Sequence, residues 1–164
     1  MSDVPALRQT DLGALTDPKH FTGPIDTAGV APKILAKFLH DMTLIRVVEE
    51  ELGELVTAGV ARAPCHLGIG QEAVAVGVSA SLHSTDRVFG GHRSHSHYLA
   101  LGGDPYKLIA EVLGKADGAS RGMGGSMHLF ARDVGFYGSV PLVAATIPVA
   151  VGAGLAAKMD GSDS

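Results

Sequence analysis

Cys65-His66-Leu67-Gly68-Ile69-Gly70-Gln71-Glu72-Ala73-Val74-Ala75-Val76-Gly77-Val78 is the stretch on which the reading of the fold turns. Gly68 and Gly70 punctuate an approach segment. The residues from Gln71 onward read as a helix that carries Ala73, Ala75, Gly77 and Ala80, where a core helix would carry leucines. Such a helix fills little volume by itself. It lets a second backbone come close, as an interior layer or a subunit interface requires.

Upstream of this stretch the pattern is different. From Pro32, the residues Leu35, Phe38, Met42, Ile45, Val48, Leu52 and Leu55 recur at steps of three and four, with Lys37, Asp41 and Glu50 between them. That period predicts a long amphipathic helix, stopped by Gly59 and followed by a turn at Ala63-Pro64. Residues 1–31 mix Pro, Thr, Asp and Gly without apolar periodicity and are expected to be an extended amino-terminal arm.

Downstream, Ser84-Thr85-Asp86 reads as a turn before the short apolar run Val88-Phe89, and Gly90-Gly91 opens the segment His92-Arg93-Ser94-His95-Ser96-His97. Asp104-Pro105 supplies an N-cap and a first helical residue for a third helix. Leu108, Val112 and Leu113 form its apolar face, and Gly114 ends it. Residues 118–128, from Gly118 to His128, read as a loop. No internal repeat is visible.

Composition narrows the function classes. Hydrophobic residues make up 46% of the 164, enough to build a core, while 22 glycines and no tryptophan point to close backbone packing and ligand-approach loops. A net charge of −4 and a sequence pI near 6.0 provide no basic field for nucleic acid. The single cysteine, Cys65, cannot form an internal disulfide and suits a reducing compartment, the cytoplasm or an organelle matrix. Val140 to Ala157 is apolar apart from Thr146, but Pro141 and Pro148 interrupt it and its side chains are small. A buried loop and a tightly packed helix therefore suit it better than a membrane span.

Several constellations invite chemistry. The glycine loop at 118–125 is not a P-loop, since Gly114-Lys115 is followed by Ala116 where a magnesium-binding hydroxyl is needed. It is not a dinucleotide fingerprint either, because no strand precedes it. His92, His95 and His97 could be metal ligands, yet Arg93 places a fixed cation between two of them. A guanidinium flanked by glycine and histidine donors suits a phosphate or carboxylate better, so no metal ligand is assigned within the chain. Cys65 and His66 are adjacent, and neighbours on an extended segment point apart, which argues against a nucleophile pair.

Four ordered segments resemble the alpha subunits of thiamine diphosphate-dependent 2-oxo acid dehydrogenases of the pyruvate and acetoin type. They are Cys65 to Ala73, Gly91-His92-Arg93-Ser94-His95, Arg121-Gly122-Met123-Gly124-Gly125-Ser126-Met127-His128, and Ile147-Pro148-Val149-Ala150-Val151-Gly152-Ala153-Gly154. The resemblance runs from about residue 33 to the end. It implies an α/β fold, the helix-rich amino-terminal portion of a three-layer thiamine diphosphate-binding domain over residues 32–164.

By the same resemblance His92 and Arg93 lie at the cofactor, with Arg93 reaching the diphosphate. Pro141 and Val143 belong to the segment whose backbone meets the aminopyrimidine, although Pro141 has no N–H to donate. His66 faces the substrate, and the loop from Arg121 to His128 forms part of the active-site wall. The family carries Gly-Asp-Gly and a later Asn as its magnesium and diphosphate ligands. Since the sequence ends at Ser164 before such a motif, those ligands are expected downstream, and the 164 residues alone should bind cofactor weakly and be inactive. The implied reaction is oxidative decarboxylation of a small 2-oxo acid such as pyruvate, or cleavage of acetoin. The implied partners are a beta subunit in a heterotetramer and a lipoyl-bearing acyltransferase that receives the acyl group. A non-catalytic remnant that keeps a subunit-binding surface is the alternative. The small-residue segments Ala73 to Ala80 and Val149 to Ala157 further suggest that the chain associates with other protein.

Overall fold

The structure is a computed structural model that describes Lys19, Pro24 and residues 26–162. Most of the expected arm lies outside the described residues. Residues up to Pro32 and residues from Lys33 onward form two separate units. In the first, Asp26 Oδ1 accepts the Ala28 N–H at 2.9 Å and the Thr27 carbonyl accepts from Val30, a turn just before the first helix.

The predicted long helix is α1, Pro32–Thr57. Its stripe meets the core through Ile45, Val48 and Leu52, all buried, with Phe38, Met42 and Leu55 packed beside them. Full burial of each such aliphatic side chain contributes about 1.5–3 kcal/mol. Gly59, at φ 72°, adopts the left-handed turn that ends the helix, and the Leu55 carbonyl accepts from Val60 and Ala61 beyond it. The small-residue helix is α2, Glu72–Ser79. It packs on α3, His95–Ala100, which forms where the sequence suggested only a histidine-rich segment. Arg46 of α1 donates to Glu72 Oε1 at 2.7 Å and ties α1 to the start of α2. This guanidinium holds the Glu72 carboxyl down at about 2, from the ordinary 4.5.

The run Val88-Phe89 becomes strand β1, Val88–Gly90, which pairs in parallel with β2, Phe136–Ser139. Between them the chain makes α3 and then α4, Pro105–Val112, capped as expected by Asp104, whose Oδ1 accepts the Tyr106 N–H at 2.9 Å. Buried Tyr98, Leu99, Leu108, Val112, Leu129 and Phe136 close the core around this crossover. The fold is thus α/β and helix-rich around a two-stranded parallel sheet, as anticipated.

One side chain organises the glycine loop. Glu111 of α4 is fully buried, and its carboxylate accepts four backbone N–H groups. Ser120 and Gly122 donate to Oε2 at 2.6 and 2.8 Å, and Gly124 and Gly125 donate to Oε1 at 2.7 and 3.1 Å. The loop curls so tightly around this anion that Arg121 takes φ 58°, the left-handed region that non-glycine residues rarely adopt. At Gly122, φ is 74° and a Cβ would lie 2.6 Å from the Gly114 backbone, so only glycine fits.

The apolar stretch from Val140 splits into a turn and α5, Thr146–Asp160, a 15-residue helix that touches β1. No helix among the described residues is long and apolar enough to cross a membrane. The expectation that α5 is tightly packed does not hold in this structure. Only Ala157 of α5 is buried, while Ile147, Val149, Val151, Leu155 and Met159 are exposed. The element that α5 touches, β1, is only three residues long and cannot cover these apolar side chains.

Two predictions follow from these carboxylates. The Glu72 carboxyl is held below its ordinary value, so its contribution to stability is complete above about 4.5 and is lost as pH falls toward 2. Thermal unfolding followed from pH 7 to pH 2 should show this loss, and Glu72→Gln should flatten the curve across that window. An unchanged slope in the variant would contradict the Arg46–Glu72 pair. Glu111→Gln keeps the volume but turns an amide N–H₂ toward backbone donors, which should cost about 2–3 kcal/mol. Chemical denaturation should show a lower midpoint at unchanged slope, and a midpoint equal to that of the wild type would contradict the clamp.

Candidate functional site at the carboxyl ends of two parallel strands

In a parallel pair both chains leave the sheet at the same end, where open α/β folds place their ligands. Here Gly90 pairs with Ser139, and Val140 N–H donates to the Gly90 carbonyl at 3.2 Å. The residues that follow β1 are Gly91, His92 and Arg93, and those that follow β2 are Val140, Pro141, Leu142 and Val143. The sheet therefore brings the two cofactor-binding segments expected from the sequence to one edge, although they are about fifty residues apart in the chain.

After β1 the backbone doubles back sharply. Ser94 Oγ donates to the Gly91 carbonyl at 2.6 Å, and a Cβ on Gly90 would overlap the Ser94 side chain. The turn presents His92 and Arg93. The His92 ring meets the His66 ring edge-on, with centroids 4.9 Å apart and planes at 81°. Arg93 Nη1 donates to the Leu67 carbonyl. Three of the expected site residues, His66, His92 and Arg93, thus sit together, with the 65–68 segment held against the turn after β1.

Pro141 and Val143 occupy the turn after β2 and are exposed. Among the described residues, no hydrogen bond or ring contact joins them to His92 or Arg93. Ala144, next to Val143, has φ 64°, so this turn, like the glycine loop, holds a non-glycine residue in the left-handed region. Strained backbone in both loops is a common mark of a ligand site.

The other histidines do something else. His95 is fully buried at the start of α3, with Nδ1 3.3 Å from Glu49 Oε1 and Nε2 2.9 Å from Ser126 Oγ. His97 lies 3.3 Å from Ser96 Oγ, and burial pushes its pKa below the usual histidine range. With His92 turned to His66, the three do not share a centre. No group of three His, Cys, Asp or Glu side chains among the described residues is placed to hold a metal ion. Cys65 donates its thiol to the Ala63 carbonyl at 3.4 Å, and burial raises its pKa, which suits a packing residue better than a nucleophile.

Glu49 and Glu111 escaped the sequence reading, and Ser126 entered it only as a member of the 121–128 loop. A signal existed, because Glu49 falls in the stripe Ile45, Val48, Leu52, and Glu111 falls between Leu108 and Val112 on the apolar face of α4. A carboxylate on a buried stripe needs partners, and both have them.

Comparison with known proteins gives the family. The sequence model of the family described as "Dehydrogenase E1 component" matches residues 40–164. The pyruvate dehydrogenase E1 component subunit alpha of Zymomonas mobilis is 47% identical over 123 residues, covering 74% of this chain and 34% of that protein. The mitochondrial subunit of the same name from Solanum tuberosum is 39% identical over 140 residues, 85% of this chain and 36% of that protein. The Rhizobium meliloti subunit is 41% identical over 128 residues, 78% and 37% respectively. The chain spans about a third of the length of these relatives. With a family match that runs from the middle of α1 through the site to the end of the chain, this protein belongs to the dehydrogenase E1 component family.

Proposed function

We propose that this chain supplies the alpha-subunit part of a pyruvate dehydrogenase of the E1 type, which oxidatively decarboxylates a 2-oxo acid with thiamine diphosphate and magnesium. The observation that carries this reading is the meeting of His66, His92 and Arg93 at the carboxyl end of the β1–β2 pair. The relatives' names favour pyruvate over acetoin.

The residues suit the cofactor's diphosphate. Arg93 carries five donors in a planar fork, of which the described hydrogen bonds engage one, and the others can donate parallel bonds to phosphate oxygens. Of the buried side-chain atoms without a hydrogen-bond partner, Glu49 Oε1 and His95 Nδ1 face each other. His66 Nδ1 has no such counterpart, and a polar ligand at this edge would satisfy it. When bound, thiamine diphosphate supplies the carbon nucleophile and the electron sink for decarboxylation. The chain's own share is to fix the diphosphate through Arg93, to bring His66 to the 2-oxo acid, and to wall the site with the 121–128 loop. Pro141 and Val143 offer carbonyl groups to the aminopyrimidine ring. No magnesium ligand is assigned among the described residues. The acid that activates the aminopyrimidine belongs to a beta subunit in a heterotetramer, and the acyl group passes to a lipoyl-bearing acyltransferase. Such an enzyme works in the cytoplasm or an organelle matrix.

In the enzyme assembled with its beta subunit, Arg93→Ala should weaken thiamine diphosphate binding by about 2–4 kcal/mol, the scale for losing charge-assisted bonds to a buried anion. Thiamine, which lacks the diphosphate, should bind wild type and variant alike. Calorimetric titration measures both, and an unchanged affinity for thiamine diphosphate would remove Arg93 from the site.

A further inference from the structure

Beneath the site lies a chain of buried polar groups with no part in the account above. Glu49 of α1 and His95 of α3 are both fully buried, and Glu49 Oε2 accepts the Gly68 N–H at 3.2 Å. His95 Nδ1 lies 3.3 Å from Glu49 Oε1, and Nε2 lies 2.9 Å from Ser126 Oγ and 3.2 Å from the Ser126 carbonyl. Ser126 is itself buried, one residue beyond the loop that Glu111 clamps. Each link reaches a different part of the site. Gly68 is two residues from His66, His95 is two residues from Arg93, and Ser126 belongs to the 121–128 wall.

We propose that Glu49, His95 and Ser126 form a positioning relay that fixes the spacing between the His66 segment, the His92–Arg93 turn and the glycine loop. The inference rests on the reading of this edge as a thiamine diphosphate site. A carboxylate opposite Nδ1 places the imidazole proton there; Nε2 then accepts from the Ser126 hydroxyl at 2.9 Å, and the Ser126 carbonyl beside it is a close contact without a hydrogen bond to the ring. Filling a core does not require this arrangement. A buried carboxylate costs stability unless it is paired, and an apolar side chain of similar size would pack as well. Its particular product is orientation, since the carboxylate facing Nδ1 selects the tautomer and the Ser126 contact at Nε2 fixes the rotation of one ring.

Two histidine variants divide the relay. Asn at 95 can place an amide nitrogen near the position of Nδ1 and so keep the Glu49 contact, whereas Gln reaches toward the position of Nε2 and keeps the Ser126 contact. In the assembled enzyme, His95→Asn and His95→Gln should each lower kcat roughly 10- to 100-fold, the scale for misplacing reacting groups by a fraction of an ångström to one ångström, with a smaller change in KM. Glu49→Gln, which keeps an acceptor for Gly68, should retain the unfolding temperature and still lose kcat. Nuclear magnetic resonance of ¹⁵N-histidine should show the Nδ1–H tautomer of His95 in the wild type and its loss in Glu49→Gln. Full kcat in folded Glu49→Gln, or an Nε2–H tautomer in the wild type, would overturn the relay. A wild type with the expected tautomer that binds no thiamine diphosphate would instead overturn the functional reading, and with it the catalytic part of this proposal.

Discussion

The buried carboxylate of Glu111 is the constraint on which the site's architecture depends. The glycine loop at 118–125 carries four glycines among eight residues, and its backbone donors must go somewhere once it is covered. Four of them converge on one anion, which satisfies the donors and the charge together. Asp104 starts the helix that carries the anion, and buried Leu108 and Val112 pin it to the core. Arg121 then accepts a left-handed conformation that costs of order 1–3 kcal/mol, because the surrounding bonds leave it no alternative.

A second buried carboxylate, Glu49, plays a comparable part on the other side of the loop. The two acids stand on different helices, α1 and α4, and between them their polar contacts reach the His66 segment, the start of α3 and both ends of the glycine loop. Neither acid reaches the exposed edge where His92 and Arg93 stand. They hold from below the elements that form it, so the outer surface can be polar and open while its supports are dry. The parallel pairing of β1 with β2 then decides which loops share that edge.

Much of this was legible in sequence because it follows from local rules. The step of three and four residues located α1, the Asp104-Pro105 pair located the start of α4, and Gly59 located a helix end. Arg93 stood out as a cation beside the glycines after β1, and the structure brings it to the Leu67 carbonyl next to His66. What escaped depends on distance in the chain. The strand Phe136–Ser139 is four residues with glycine at its third position, too short and irregular to show an alternating pattern, and it exists because β1 lies beside it. His95 looked like one of three loop histidines. Its burial is set by Glu49 and Ser126, forty-six residues before it and thirty-one after it, which no local pattern reveals. Packing of α5 was expected from its small residues, and the three-residue β1 that it touches is too short to cover its larger apolar side chains.

Amide hydrogen exchange at Ser120, Gly122, Gly124 and Gly125 tests the central claim, that one buried carboxylate fixes the glycine loop. Donors held by Glu111 should exchange as slowly as the amides of α4, since both would open only when the core opens. Exchange at these four positions at the rate of an unstructured loop, with α4 still protected, would mean that Glu111 does not hold the loop and that the site's architecture has another origin.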